Sequence, residues 1–173
     1  MIEIFILSII QGITEFIPIS SSSHLILVSK YLEFNNQNLS IDISLHIGSF
    51  LAVVVYFKKD IFIFYKNKKL FYKILISSLP VMIVGYILIK LDLIYYLRSI
   101  KIIGWTTILF GVLLYYSDKF KDDKIINKDF SFKSALIIGA VQILSLIPGV
   151  SRSGITITAG RFLEFKREDA AKI

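Results

Sequence analysis

Glu15, four consecutive serines at Ser20–Ser23 and His24 crowd into one stretch, QGITEFIPISSSSH, residues 11–24. Ser21 and His24 lie three apart, so one helical turn would set a nucleophile and a base on the same face. Glu15 suits proton transfer or the holding of a divalent cation. The plain alternative is that the serines cap a short helix while His24 rests at the headgroup level. A Glu, four Ser and a His around one break make a functional site the better reading.

A second stretch, PGVSRSGITITAG, residues 148–160, carries Ser151, Arg152, Ser153 and Thr156. A guanidinium fork binds two phosphate oxygens at once, and hydroxyls add donors. Gly149 and Gly154 let a backbone approach a ligand closely. The competing reading is an interfacial arginine snorkelling to lipid phosphate. Taken together, one Arg, several hydroxyls, one Glu and one His suit a phosphate or diphosphate. Glu15 would repel that anion unless it transfers a proton or shares a cation with it.

The elements around these residues are apolar. The chain has 173 residues, of which 55% are hydrophobic and 19% charged, with no cysteine. Disorder is excluded by that apolar content, and a disulfide-stapled fold or thiolate zinc site by the absence of cysteine. Four runs read as membrane helices: Ile41–Phe57, Ile74–Leu91, Ile102–Ser117 and Ser134–Ile147. Ile2–Ile10 and His24–Leu32 are too short to cross a bilayer alone. Short half-helices around a polar break predict a re-entrant hairpin, and the pattern recurs after Ile147. Aligning Pro18 with Pro148 sets Ser21 against Ser151 and Ser23 against Ser153, which predicts an inverted internal repeat with a midplane site. The fold class expected is therefore all-α, a polytopic membrane protein forming one domain over 1–173.

The net charge of +7 has a topological cause. Residues 58–73 hold six lysines and one acid, and residues 118–133 hold five lysines and four acids. Only Arg98 and Lys101 are basic between Asp92 and Lys101. Lys/Arg bias places the two lysine-rich loops in the cytoplasm. Helix 134–147 then runs outward, and both polar breaks are expected on the extracytoplasmic side. The side of the tail 161–173 stays open. A nucleic-acid partner is disfavoured, because the basic residues lie between apolar runs rather than over a soluble face. Trp105 and the tyrosine pairs 95–96 and 115–116 read as interface anchors. Asp42 and His46 read either as an interfacial pair or as support for the site.

QGITEFIPISSSSHLIL and PGVSRSGITITAGR resemble the two signature boxes of the undecaprenyl-diphosphate phosphatase (bacitracin-resistance protein) family. LHIGSFLAVVVYF, residues 45–57, resembles the same family, so the likeness runs along the whole chain. The resemblance implies removal of the terminal phosphate of undecaprenyl diphosphate, which recycles the lipid carrier for cell-wall synthesis. It implies the bacterial cytoplasmic membrane, a polyprenyl diphosphate lipid as substrate and a divalent cation, Mg2+ or Ca2+. Its functional positions fall on Glu15, Ser20, Ser21, His24, Ser151 and Arg152. Gln11 stands where the family often has Glu; it forms hydrogen bonds but is no anionic ligand. The expected roles are Ser21 as nucleophile, His24 as base and Glu15 as acid, base or metal ligand. Arg152, Ser151, Ser153, Ser20, Ser22 and Gln11 are expected to hold the substrate. A phosphohistidine on His24, or direct attack by water, remains open. The rival class is a lipid-phosphate transporter or flippase, which would use the same Arg and Ser groups. Members of the family continue through further helices, so a truncated second repeat is expected. Oligomeric state is not legible.

Overall fold

The computed structural model describes residues 2–34 and 38–172, without the side chains of residues 60, 63, 64, 95 and 127. The interface reading of Tyr95 therefore lies outside the described residues. Among the described residues the protein is all-helical, with no strand beyond one isolated bridge between Lys124 and Phe165. Three helices among the described residues are long and apolar enough to cross a membrane: α3 (Leu39–Tyr56), α5 (Lys68–Lys90) and α7 (Ile100–Ser117), with the short helices α4 (Lys58–Lys66) and α6 (Leu93–Leu97) between them and α8 (Ile126–Asp129) after them. They match three of the four runs expected from the sequence. Each has large apolar side chains exposed on its outer surface, such as Phe50, Met82 and Ile108, as hydrocarbon contact requires. The chain is a polytopic membrane protein.

The fourth run forms a shorter apolar helical stretch, Phe132–Leu146. Residues 132–142 form α9 (Phe132–Gln142), which tightens into a 3-10 turn (Ile143–Leu146) before the chain breaks at Pro148. Helix α10 (Arg152–Phe162) then packs back along α9. The base of this hairpin is closed by Phe130 and Phe165, whose rings meet edge to face at 6.0 Å. Helix α1 (Ile2–Thr14) and α2 (Ser21–Tyr31) make the other hairpin, with its tip at residues 15–20. At 1.5 Å per residue α10 extends only about 16 Å, roughly half the hydrocarbon thickness.

The two tips meet. Gly149 N–H donates to Ser20 Oγ at 3.3 Å, and Ser20 Oγ also accepts from Ser23 Oγ at 2.9 Å. Thr106 Oγ1 donates to Pro148 O at 2.7 Å. Thr106 lies about 9 Å along α7 from its first residue, counting 1.5 Å per residue. The breaks therefore sit beside the body of α7 and not at its end. Loop charge fixes where helix ends emerge, and a hairpin tip has no such marker.

The tail also finds its place. Arg161 on α10 is buried and donates to the carbonyls of Asp118, Phe120 and Phe165, while Arg167 pairs with Asp118. Lys124 reaches Glu164 at 3.1 Å. Residues 161–167 thus lie at the same end as loop 118–131. Lys73, at the start of the apolar part of α5, donates to Phe130 O and belongs to that end too. Helix α5 and α9 approach closely at Gly139, where a Cβ would collide with the backbone of Ser77.

Candidate active site

A cavity of about 320 Å3 opens where the hairpin tips meet, and it is lined by Glu15, Ser21, Ser22, His46, Ser151 and Arg152, among others. Helix N-termini bring most of these groups together. Ser21 begins α2 and Arg152 begins α10, so the unpaired N–H groups of both first turns lie beside the cavity. Ser151 caps α10, accepting from Gly154 N–H at 3.2 Å, and its hydroxyl pairs with Ser153 at 3.1 Å. No carboxylate forms an ion pair with Arg152 among the described residues, which leaves its guanidinium available to an anion.

Glu15 is the hub on the opposite wall. Its Oε2 accepts from Ser21 Oγ at 2.6 Å and from Gln11 Nε2 at 2.9 Å. His46 Nε2 stands 3.5 Å from the same oxygen and 3.5 Å from Ser21 Oγ. His46 Nδ1 lies 2.8 Å from Asp42 O, and a carbonyl only accepts, so Nδ1 carries a proton. In the neutral ring Nε2 is then an acceptor, and of its two neighbours only the Ser21 hydroxyl can donate to it.

The expected Ser21–His24 pair does not form. Three residues on is about 60° round a helix, and His24 turns back so that Nδ1 donates to Ser20 O at 2.7 Å. Its ring lines a separate cavity of about 310 Å3 beside α7, with Thr107 and Gly111. His46, read from the sequence as an interfacial or supporting group, takes the place beside Ser21. A lone histidine in an apolar helix, with Asp42 one turn earlier, was the signal for it. Ser20 lines the cavity as well, while its hydroxyl is buried and joins the two tips. Ser22, Ser151, Ser153 and Arg152 line the cavity as expected, and Gln11 reaches it through Glu15. Ser77, Ser78, Ser145 and Thr156 add hydroxyls that the two boxes did not single out or assign.

A wider groove of about 570 Å3 continues from the same groups along α3. It shares Glu15, Ser22, His46, Ser145 and Arg152 with the first cavity. Ile43, Ile47, Phe50 and Val53 line one stripe of it, at the spacing of a single helical face. The arrangement joins a hydroxyl-rich, cationic pouch to an apolar trough, which fits an anion attached to a long hydrocarbon.

For a divalent cation the donor set is short. Among the described residues no three His, Cys, Asp or Glu side chains converge. Gln11 Oε1, however, is buried beside Glu15 without a hydrogen-bond partner. One carboxylate and one amide oxygen fit a cation that draws its remaining ligands from phosphate and water, not one caged by protein alone.

Known proteins resemble the chain along nearly its whole length. The family model described as Bacitracin resistance protein BacA matches residues 4–173. The Undecaprenyl-diphosphatase of Pelagibacter ubique (strain HTCC1062) is 52% identical over 174 residues, spanning 100% of this chain and 68% of that protein. The Undecaprenyl-diphosphatase of Jannaschia sp. (strain CCS1) is 40% identical, over 100% of this chain and 70% of its own length. Undecaprenyl-diphosphatase 1 of Pseudoalteromonas translucida (strain TAC 125) is 44% identical, over 99% and 69% respectively. With both boxes in place and the match running almost end to end, the chain belongs to the BacA family.

Proposed function

We propose that this protein hydrolyses undecaprenyl diphosphate to undecaprenyl phosphate and inorganic phosphate, at the extracytoplasmic side of a bacterial cytoplasmic membrane. The names of its relatives support the reaction, and the lysine-rich loops support the side. The observation that carries the mechanism is the 2.6 Å hydrogen bond from Ser21 Oγ to Glu15 Oε2, made in the same cavity as Arg152.

Arg152 and the hydroxyls of Ser151 and Ser153 hold the diphosphate, and the groove along α3 takes the prenyl chain. Ser21 Oγ attacks the terminal phosphorus as its proton passes to Glu15. The bond from that phosphorus to the bridging oxygen breaks, and undecaprenyl phosphate leaves with the electron pair. Arg152 offsets the charge gathering on the equatorial oxygens. Water then attacks the phosphoserine, losing a proton to His46 Nε2. The bond from phosphorus to Ser21 Oγ breaks, Ser21 Oγ takes back the proton held on Glu15, and inorganic phosphate departs. Glu15 and Gln11 Oε1 would hold a divalent cation, Mg2+ or Ca2+. When bound, that ion supplies charge neutralisation at the phosphate oxygens.

The test is phosphate release from undecaprenyl diphosphate by the purified protein in detergent, with and without chelator, followed by trapping and mapping of the phosphoenzyme. Label on Ser21 is expected. Label on His24, or turnover with no trapped species, would overturn the serine mechanism. Tip-to-tip broken helices also occur in secondary transporters, so the second reading is a lipid-phosphate flippase. Failure to release phosphate in detergent, together with lipid movement across vesicles, would favour it.

A further inference from the structure

The groove along α3 has two unlike boundaries. Its flank is apolar and open: Ile43, Ile47 and Phe50 are exposed where α3 faces hydrocarbon. At its end, on the side of the bundle opposite the lysine-rich loops, two of its lining residues form an ion pair. Asp42, in the first turn of α3, meets Arg98, in the linker before α7, with Arg98 Nη2 donating to Asp42 Oδ2 at 2.6 Å. Both side chains are largely buried, at 17% exposed for Arg98 and 5% for Asp42. Asp42 holds His46 through its backbone carbonyl, so its carboxylate is not needed for that contact.

We propose that the Asp42–Arg98 pair is a clasp that shuts the aqueous end of the substrate groove. Diphosphates then reach Arg152 sideways from the bilayer and not from water. The clasp is thus a specificity device: it admits membrane-anchored diphosphates and turns away soluble ones. A buried, hydrogen-bonded ion pair suits this task, because parting it breaks a charge-assisted hydrogen bond between two largely buried groups. The inference rests on the phosphatase reading.

Single substitutions would leave one buried charge unpaired, so the test uses Asp42→Ser/Arg98→Ser, which removes both charges and opens the end. The charge swap Asp42→Arg/Arg98→Asp keeps it closed. Two substrates are compared in detergent, undecaprenyl diphosphate and the short, water-soluble dimethylallyl diphosphate. The ratio of kcat/KM for short over long is expected to rise about tenfold or more in the opened variant, on the scale of pocket-based discrimination. In the swap it stays near the parent value.

The cysteine-free sequence allows a second readout. Ile47→Cys, placed in the groove of protein held in nanodiscs, reports reaction with a charged, water-soluble thiol reagent. Labelling is expected to be slow behind the closed clasp and fast in the opened variant. If the opened variant does not accumulate, Asp42→Asn/Arg98→Gln is read in the same two ways.

An unchanged ratio with unchanged labelling overturns the clasp. So does a parallel loss on both substrates that the swap fails to restore, since that marks a purely structural pair. A parent that releases phosphate from neither substrate defeats the phosphatase reading itself, and the labelling result stands apart from it.

Discussion

The two hairpins share a plan and differ in charge. With Pro18 set on Pro148, Glu15 corresponds to Ser145, Ser21 to Ser151 and Ser22 to Arg152. All six line the cavity at the tips. The first hairpin contributes the acid and a hydroxyl bonded to it; the second contributes the cation and its capping serine. On the proposed mechanism, a site built from two similar hairpins becomes polar along one direction, with proton acceptor on one wall and anion holder on the other. Neither wall alone would do phosphoryl transfer, which needs a nucleophile in line with a held phosphate.

That division predicts coupling between the tips. Ser21→Ala and Arg152→Ala should each lower kcat/KM by about 10³-fold, as losses of a nucleophile and of a transition-state donor do. The double variant should be little worse than the poorer single one, because the residues act as a unit. Multiplicative losses in steady-state assays would instead mean that the two walls work independently.

The histidines sharpen the comparison next. Both anchor Nδ1 on the carbonyl four residues back, yet they face different cavities. His46→Ala should cost about 10²-fold in kcat, within the usual range for general acid–base groups, and His24→Ala less than tenfold. The reverse order in phosphate-release assays would restore His24 to the site.

Smaller effects separate the tips as structures. Gly149 has a φ of +99°, and a Cβ there would meet Thr106 and the carbonyl of Ile103. Gly149→Ala should destabilise the protein by about 2 kcal/mol or more, seen as a lower thermal midpoint in detergent. Its counterpart Ile19 carries no positive φ, and Ile19→Gly should cost about 1 kcal/mol or less. Ser20→Ala removes the hydroxyl that ties the tips. About 1 kcal/mol per hydrogen bond translates to roughly a fivefold fall in kcat. An unaltered kcat would mean that packing alone sets the register.

The sequence was legible where its chemistry is local. Hydropathy located α3, α5 and α7, and the boxes named Glu15, Ser21, Ser151 and Arg152 because such residues are costly or rare beside apolar helices. What escaped was relational. The depth of the tips depends on Thr106 holding Pro148, a contact between residues 42 apart. The histidine beside Ser21 lies 25 residues away on another helix. The i, i+3 rule brought Ser21 and His24 to neighbouring positions, but the ring's preference for the Ser20 carbonyl turned it elsewhere. The base of the second hairpin is closed by Arg161 on three carbonyls, and that arginine ends the second box with nothing in its local sequence to mark the carbonyls it meets.

The contact of Gly139 with Ser77 has a mechanical consequence. With no side chain between the two backbones, α9 cannot slide or roll against α5 without collision, so the second hairpin and α5 form one lever arm. Any rocking that exposed Arg152 to the opposite face of the membrane would have to carry a 23-residue spanning helix with it.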